Sequence, residues 1–297
     1  MWLVVGGESE IGAALYSHFK DCREPTLATT RRRTHARADR PYLDIASPLD
    51  HWVPPLDTRG ACIAAAVARL SACAADPIGS ALINVDATLR LIDRLLARGI
   101  YVVYLSTNQV FDGSMPNVPP DAPVNPISEY GKQKARTETE LKALMKQGAR
   151  LSILRLAKVI SPHIPLLKQW VETLTTERPI RAFYDMVIAP TPIDTVTKAV
   201  AALMHRQSRG VYQLTGSRDV SYAEVGRYIA QRLGVDCGLV EAVSAGSAGM
   251  PIGATPRHTT LDSTTLRVAH GIVVPDVWHV LSPVLSESAT RLSARSK

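Results

Sequence analysis

Short apolar runs alternate with segments of helical periodicity along the first half of the chain. We predict strands at Trp2–Val5, Pro25–Thr29, Tyr42–Asp44, Gly60–Ala66, Tyr101–Ser106 and Leu151–Leu156. The predicted helices are Ile11–Lys20, Ser80–Arg98, Tyr130–Gln147, Asp194–His205 and Tyr222–Leu233. This alternation predicts an α/β fold of the Rossmann type, a doubly wound parallel sheet with helices on both faces.

Composition narrows the class of protein. The chain has 297 residues, of which 46% are hydrophobic and 21% charged, as in a globular protein with a large core. No apolar run approaches the ~20 residues of a membrane-spanning helix, and no leader precedes the first strand, so we expect neither a membrane protein nor a signal peptide. The four cysteines are scattered and the histidines lack metal-ligand spacing. We therefore expect no disulfide framework, no metal site and a cytoplasmic location.

The charge of the chain favours an acidic partner. The formal net charge is +7, and the densest basic cluster is Arg31-Arg32-Arg33, followed by His35, Arg37 and Arg40. Aromatic residues make up only 5% of the chain and do not alternate with basic ones, as they do in RNA-binding sheets. A phosphorylated small molecule is therefore a better match than nucleic acid.

A glycine-rich turn, Gly6-Gly7-Glu8-Ser9-Glu10-Ile11-Gly12, directly follows the first predicted strand. Glycines let the backbone approach a pyrophosphate, and the N–H groups at the start of the next helix bind its oxygens. Ser9 stands where the middle glycine of the dinucleotide-binding pattern is expected, so a simple turn is an alternative. We interpret residues 1–157 as a dinucleotide-binding domain. Residues 158–297 are then a smaller, mixed, mainly substrate-binding lobe, with segments near 186–207 returning to the first domain.

The end of the second strand predicts which dinucleotide is bound. An acid that binds a ribose 2′-hydroxyl is expected there, yet the sequence has Thr29-Thr30-Arg31-Arg32. Guanidinium groups bind a phosphate bidentately, so NADP(H) is favoured over NAD(H), against the alternative of a solvated basic loop. Asp44-Ile45 would lie beneath the adenine, although Asp44 could equally be a turn residue.

Two further segments carry candidate chemistry. Ser106-Thr107-Asn108-Gln109-Val110-Phe111-Asp112-Gly113 ends one strand, and Tyr130-Gly131-Lys132-Gln133-Lys134 begins a helix. Tyr130 and Lys134 are four residues apart and share a helix face. A lysine ammonium beside a phenol lowers the phenol's pKa, so Tyr130 could protonate a carbonyl oxygen to which Thr107 also bonds. The alternative is an ordinary surface helix face.

In combination, the glycine-rich turn, Asn84-Val85-Asp86-Ala87-Thr88 and these two segments resemble the extended short-chain dehydrogenase/reductase superfamily. Within it, the sequence is most similar to dTDP-4-dehydrorhamnose reductase and related sugar-nucleotide reductases. The resemblance continues through Arg155, Ala189-Pro190-Thr191, Gly210–Gly216, Arg257 and Leu261-Asp262.

The resemblance implies roles for individual residues. Thr107, Tyr130 and Lys134 would be the catalytic residues. The cofactor would contact Gly6, Ser9, Glu10, Ile11, Gly12, Arg31, Asp44, Ile45, Ala64, Ala65, Ala66 and Lys134. Substrate would contact Asn108, Gln109, Lys158 and Arg257. The implied reaction is hydride transfer from NADPH to a 4-keto sugar carried on a nucleoside diphosphate.

The sequence departs from its relatives where substrate would bind. Dehydratases of the superfamily carry an Asp-Glu pair where this chain has Asn108-Gln109, and amides cannot exchange protons at ordinary pH, so dehydration is disfavoured. The rhamnose-type reductases have a tryptophan in place of Lys158, which indicates a different sugar, such as one bearing a carboxylate or phosphate. Alternatively, the Lys158 stem covers apolar surface.

Two other functions stay open at this point. One is a sugar-nucleotide epimerase that retains its cofactor. The other is a non-catalytic NADP-binding regulatory subunit, because the resemblance also extends to the regulatory beta subunit of methionine adenosyltransferase. Helices flanking the fourth and fifth strands often pair in this superfamily, which would imply a homodimer.

Overall fold

The computed structural model describes residues 1–161, 164–249 and 255–282. Within them the strands are β1 (Trp2–Val5), β2 (Thr26–Ala28), β3 (Gly60–Ile63), β4 (Tyr101–Thr107), β5 (Leu151–Leu156), β6 (Val159–Ile160), β7 (Ile180–Phe183), β8 (Val187–Ile188), β9 (Thr191–Pro192), β10 (Gly210–Leu214), β11 (Val220–Ser221) and β12 (Val240–Val243). The helices are α1 (Glu10–Asp21), α2 (Leu70–Ala75), α3 (Pro77–Ala81), α4 (Thr88–Leu96), α5 (Glu129–Lys146), α6 (Pro165–Thr175), α7 (Ile193–Arg206), α8 (Tyr222–Leu233) and α9 (Thr264–His270).

A parallel sheet lies at the centre of the described residues, with its six strands in the order β10-β5-β4-β3-β1-β2. After β2 the chain returns to the other side of β1 and forms β3, so the strand order reverses at β1. Ligands of open α/β sheets bind at such a reversal, beyond the carboxyl ends of the strands. The predicted Rossmann-type fold is confirmed.

Alternating side chains of β1 bury both faces of the sheet. Trp2 and Val4 join a core with α1 and α7, whereas Leu3 and Val5 join the core beneath α4 and α5. Helices therefore cover both faces, as the apolar runs predict. Among the residues described, no helix combines the length and the apolar composition needed to cross a membrane.

The second half of the chain builds its own core and also completes the sheet. Side chains of α6, β7, α8 and β12 form a separate apolar cluster that includes Leu167, Trp170, Ile180 and Ile229. By contrast, α7 packs against α1, and β10 pairs with β5 in the central sheet. This arrangement brings later parts of the chain into contact with the first half.

Several predicted elements differ from the structure. Tyr42–Asp44 does not form a strand, and Tyr42 makes only an isolated bridge to Thr30. The predicted helix Ser80–Arg98 is interrupted by a π-helical segment, Leu82–Ala87, whose wider turn carries the inward-facing Asn84. The helix α6 is not among the predicted helices. Pro165 begins it, at a position where a missing N–H is tolerated.

We expect the protein to lose stability as the pH falls through about 6.5, partly because of His270. Within the described chain both ring nitrogens of His270 are buried without a hydrogen-bond partner, and the ring packs edge-on against Tyr212. Burial, aided by the charge of Arg206, lowers the pKa of His270 below its ordinary 6.5. The unfolded chain therefore binds a proton more readily, which favours unfolding at acidic pH.

Urea unfolding of wild type and His270→Leu between pH 5 and 8 would test this expectation. The variant should show a smaller loss of unfolding free energy over that interval. The exposed His51 provides a control, since His51→Gln should leave the pH dependence of wild type unchanged. A His270→Leu profile parallel to that of wild type would contradict the assignment.

Candidate active site

Two clefts in the described part of the chain meet at the carboxyl edge of the sheet. The first has a volume of about 290 Å³, and its walls include Gly6, Glu8, Ser9, Arg31, Arg32, Asp44, Ile45, Ala65 and Ala66. The second, of about 280 Å³, is lined by residues that include Ser9, Glu10, Ile11, Ala64, Ala65, Ala66, Thr107, Tyr130 and Lys134. Ser9, Ala65 and Ala66 border both clefts, so the two form one continuous groove.

The glycine-rich turn between β1 and α1 is held together by Ser9. The Ser9 hydroxyl donates to the Gly6 carbonyl oxygen at 2.8 Å and accepts from the Gly12 N–H at 3.1 Å. Ser9 is therefore the N-cap of α1, which explains why serine is acceptable in place of the expected glycine. A Cβ at Gly12 would lie 2.2 Å from the Gly6 carbonyl oxygen, so that position requires glycine. Gly12 supports the turn and does not line either cleft.

Asp44 combines the two roles considered for it. Its carboxylate accepts from the Ala46 N–H at 3.1 Å, as expected of a turn residue. The same residue borders the first cleft next to Ile45. The guanidinium-bearing Arg31 and Arg32 lie in the wall of that cleft, which makes its outer end basic.

The small-residue wall shared by the clefts is anchored by Asn84. The Asn84 amide accepts from the Val67 N–H at 2.8 Å and donates to the Val67 carbonyl oxygen at 2.9 Å. It also donates to Gln133 Oε1 at 2.7 Å, which connects this wall to α5. The sequence does not predict these bonds of Asn84 to Val67 and Gln133. Asn84 and Gln133 nevertheless both lie within the segments that carry the family resemblance.

Thr107, Tyr130 and Lys134 lie together in the second cleft, at the end of β4 and the start of α5. Lys134 Nζ lies 5.8 Å from the centroid of the Tyr130 ring and donates to the Leu105 carbonyl oxygen at 2.8 Å. The Thr107 hydroxyl oxygen accepts from the Gln109 N–H at 3.2 Å. Thr107 and Tyr130 thus both line this cleft, and the Thr107 hydroxyl also donates to Asn108 Oδ1 at 3.5 Å.

Burial shifts the pKa values of Tyr130 and Lys134 in the second cleft. It raises the pKa of Tyr130 and lowers that of Lys134 to about 8. The expectation that the lysine lowers the pKa of Tyr130 is therefore wrong. The physical reason is that desolvation of the phenol is the main cause of the change, while the Lys134 ammonium donates to the Leu105 carbonyl oxygen. Tyr130 consequently keeps its proton at neutral pH, as a proton donor must.

A close contact positions the start of α5 against the segment that follows β4. Ser128 caps α5 by accepting from the Gly131 N–H, and its hydroxyl donates to Gln109 Oε1 at 3.2 Å. A Cβ at Gly131 would lie 2.1 Å from the Gln109 carbonyl oxygen, so glycine is needed beside Tyr130. Gln109 thus helps to place the helix that carries Tyr130.

The predicted substrate residues do not line these two clefts. The side chains of Asn108 and Gln109 bond within the turn after β4 and to α5, respectively. Lys158 is exposed, but its neighbours Ala157 and Val159 border the second cleft. Arg257 is also exposed, in a segment bonded to Gly113 through His258. The structure thus brings together the catalytic and cofactor candidates, but not the substrate candidates.

A buried ion pair that the sequence does not predict lies next to the second cleft, in contact with Ser106 of its wall. Arg155 Nη2 donates to Glu138 Oε2 at 2.7 Å, and both side chains are almost inaccessible to solvent. The Ser106 hydroxyl donates to Glu138 Oε1, while Arg155 also donates to Gln213 Oε1 at 3.0 Å. The pair therefore connects α5 and β5 with the end of β4 and with β10.

No group of three or more metal-ligating side chains lies together in the residues 1–161, 164–249 and 255–282. His163, one of the histidines without metal-ligand spacing in the sequence, lies outside these residues.

Comparison with known proteins identifies the family. A dTDP-4-keto-6-deoxy-D-glucose reductase of Streptomyces niveus is 26% identical over 271 residues, which span 90% of each chain. The methionine adenosyltransferase 2 subunit beta of Xenopus tropicalis is 24% identical over 282 residues, 86% of this chain and 77% of the relative. Among solved structures, MoeE5 in complex with UDP-glucose and NAD superposes with a TM-score of 0.79 at 21% identity, over 98% of both chains.

The family profile described as RmlD substrate binding domain matches residues 1–289, nearly the whole chain. The expected resemblance is therefore confirmed, and so is the expectation of an enzyme family of the extended short-chain dehydrogenase/reductase type. The chain belongs to the RmlD substrate binding domain family of sugar-nucleotide reductase-like proteins.

Proposed function

We propose that the protein is an NADPH-dependent reductase of a 4-keto sugar carried on a nucleoside diphosphate. The observation that carries this proposal is the second cleft, in which Thr107, Tyr130 and Lys134 lie together beside the wall of small residues. This wall continues into a basic cleft of similar volume. One groove thus joins a proton-donating site to an anion-binding site, as a dinucleotide and a carbonyl substrate require.

The residues of the groove fit a dinucleotide. The alanines at 64–66 leave the middle of the groove open, and the start of α1 offers backbone N–H groups for a pyrophosphate. The turn at Gly6 to Gly12 would hold that pyrophosphate, while Asp44 and Ile45 would contact the adenosine. Arg31 would bind a 2′-phosphate. When bound, NADPH supplies the hydride that reduces the keto group.

Tyr130 is the proposed proton donor to the carbonyl oxygen of the substrate. Its raised pKa keeps the hydroxyl protonated until charge develops on that oxygen. Thr107 would donate a hydrogen bond to the same oxygen and so fix its orientation. Lys134, whose Nζ is held by the Leu105 carbonyl oxygen, would place a positive charge near the phenolate that forms after proton transfer.

We propose that residues 158–297 mainly bind the nucleotide and sugar of the substrate. The reductase from Streptomyces niveus supports a dTDP-linked 4-keto sugar as the substrate class. The exposed Lys158 beside the second cleft supports a sugar that bears an anionic group.

The proposal is tested by measuring NADPH consumption with a panel of dTDP-, UDP- and GDP-linked 4-keto sugars, including sugars with a carboxylate. Turnover that depends on the sugar would establish the reductase and name its substrate. An epimerase would instead interconvert sugars without net consumption of NADPH. Absence of any turnover, despite NADPH binding, would contradict the proposal.

The second candidate function is a cofactor-binding regulatory subunit. The relatives from Xenopus tropicalis and Bos taurus, each named methionine adenosyltransferase 2 subunit beta, favour it. Stoichiometric capture of a partner enzyme by the full chain, together with silence across the sugar panel, would support this function. The presence of Thr107, Tyr130 and Lys134 in one cleft favours catalysis instead.

We expect Arg31→Ala to weaken binding of NADPH about ten- to hundredfold and to leave binding of NADH within about twofold. The reason is that a charge-assisted contact to a phosphate contributes roughly 1.5–3 kcal/mol, and about 1.4 kcal/mol corresponds to a factor of ten. Fluorescence titration of both cofactors measures the effect. Arg37→Ala is the matched control, because Arg37 pairs with Asp39 and does not line the first cleft. Equal weakening of NADPH and NADH by Arg31→Ala would contradict the assigned role.

A further inference from the structure

We propose that Glu8 sets the selectivity between NADPH and NADH by occupying, with its own carboxylate, the Arg32 and His35 side chains that a 2′-phosphate would bind. This inference rests on the proposed function, because it assumes that the first cleft holds the adenosine end of the cofactor. It concerns a residue of the glycine-rich turn that the proposed reaction does not use.

The Glu8 side chain, in the turn after β1, contacts two residues of the segment that follows β2. Glu8 Oε1 lies 2.7 Å from His35 Nδ1, and Glu8 Oε2 lies 3.8 Å from Arg32 Nε. Glu8 and Arg32 both border the first cleft, together with Arg31. The Glu8 side chain is 25% exposed, compared with 61% for Arg32 and 43% for His35. Glu8 is therefore the most enclosed member of the cluster, and the side chains of Arg32 and His35 extend beyond it into solvent.

Glu8 is ionised at neutral pH in this arrangement. The hydrogen bond from His35 lowers the pKa of the Glu8 carboxyl, and the charge of Arg32 contributes in the same direction. The cluster thus contains an internal anion where the cofactor would place its own anion. Arg31 borders the same cleft without sharing in these two ion pairs.

The two cofactors differ in what they meet at this cluster. The 2′-hydroxyl of NADH can donate a hydrogen bond to a carboxylate, so Glu8 does not oppose its binding. The 2′-phosphate of NADPH is repelled by Glu8 and must displace it from Arg32 and His35 before bonding to them. Glu8 therefore reduces a preference for NADPH that Arg31 and Arg32 alone would make stronger.

Titration of the full-length protein with NADPH and with NADH, followed by fluorescence, tests the proposal without any turnover. We expect Glu8→Gln to tighten NADPH binding by about two- to fivefold, the range for one charge interaction at a partly exposed site, with NADH unchanged or weaker. Asp39→Asn is the matched control: Asp39 also pairs with an arginine of this basic segment, but it does not line the cleft. An unchanged ratio of the two dissociation constants in Glu8→Gln would overturn the proposal.

The same substitution in a second protein variant distinguishes displacement of the Glu8 carboxylate by the 2′-phosphate from a general effect of removing a negative charge. In an Arg32→Ala/His35→Ala protein, Glu8→Gln should change the NADPH affinity less than it does in wild type, because no ion pair remains to be displaced. An equal gain in both backgrounds would overturn the displacement.

The outcomes for Glu8 and for the proposed reductase are distinguishable. A shift in cofactor ratio without reduction of any sugar would support the role of Glu8 and contradict the reductase. Reduction of a sugar with an unchanged ratio would contradict the role of Glu8 alone. If wild type bound neither cofactor, both proposals would be wrong.

Discussion

Phenylalanine in place of Tyr130 is expected to lower kcat for reduction of the keto sugar by about 10²–10⁴-fold, the usual contribution of a positioned general acid. The substitution removes the proton that would reach the carbonyl oxygen and leaves the ring in the wall of the second cleft. Binding of NADPH should stay within about twofold, because the basic residues of the first cleft are unaffected. Stopped-flow absorbance of NADPH at saturating sugar would measure the chemical step directly.

Tyr104→Phe is a matched control for this prediction. The Tyr104 ring centroid lies 4.4 Å from Lys134 Nζ, yet Tyr104 does not line the second cleft. Loss of the Tyr104 hydroxyl should leave kcat for the keto sugar nearly unchanged. If Tyr130→Phe retained more than about a tenth of the wild-type kcat, Tyr130 would not be the proton donor.

Removing Glu138 is expected to destabilise the protein strongly. Glu138→Leu would leave the Arg155 guanidinium buried without its counter-ion, which typically costs about 3–5 kcal/mol of unfolding free energy. In the wild-type protein, burial raises the pKa of the Glu138 carboxyl, but the hydrogen bond and charge of Arg155 bring it below the ordinary value. The carboxylate is thus ionised and accepts hydrogen bonds from Arg155 and Ser106. Urea unfolding at neutral pH would measure the difference.

Two variants make this second prediction specific to the ion pair. Glu140 lies on the same helix but is exposed, so Glu140→Leu should change the unfolding free energy by less than about 0.5 kcal/mol. The double variant Glu138→Leu/Arg155→Met should be markedly more stable than Glu138→Leu, because neither charge is then left buried alone. A double variant as unstable as the single one would contradict the explanation.

Five of the six strands of the described sheet, all except β10, could be predicted from the sequence because they are mostly buried on both faces. Both Trp2–Val5 and Leu151–Leu156 have the predicted bounds, and their residues are buried throughout. Such strands give continuous apolar runs that do not depend on distant partners. Tyr42–Asp44 shows the opposite case, since a run of three residues at the sheet edge carries too little pattern to distinguish a strand from a bridge.

Most of the candidate catalytic and cofactor residues that the sequence and its family resemblance indicate line the two clefts, because strand ends and helix starts of a parallel sheet meet at one edge. What the sequence could not give were contacts between residues far apart in the chain. The bonds from Asn84 to Gln133 and from Glu138 to Arg155 depend on how helices pack. The direction of the pKa change at Tyr130 was wrong for the same reason, since desolvation is a property of the packed structure.

The position of β10 in the chain affects how the protein can fold during synthesis. The strand β5 is completed at Leu156, but its outer neighbour β10 ends only at Leu214. While the intervening residues are being added by the ribosome, β5 is an apolar edge strand that can pair with another nascent chain. We therefore expect the interval between these two strands to be the stage of synthesis at which aggregation is most easily provoked and a chaperone is most useful.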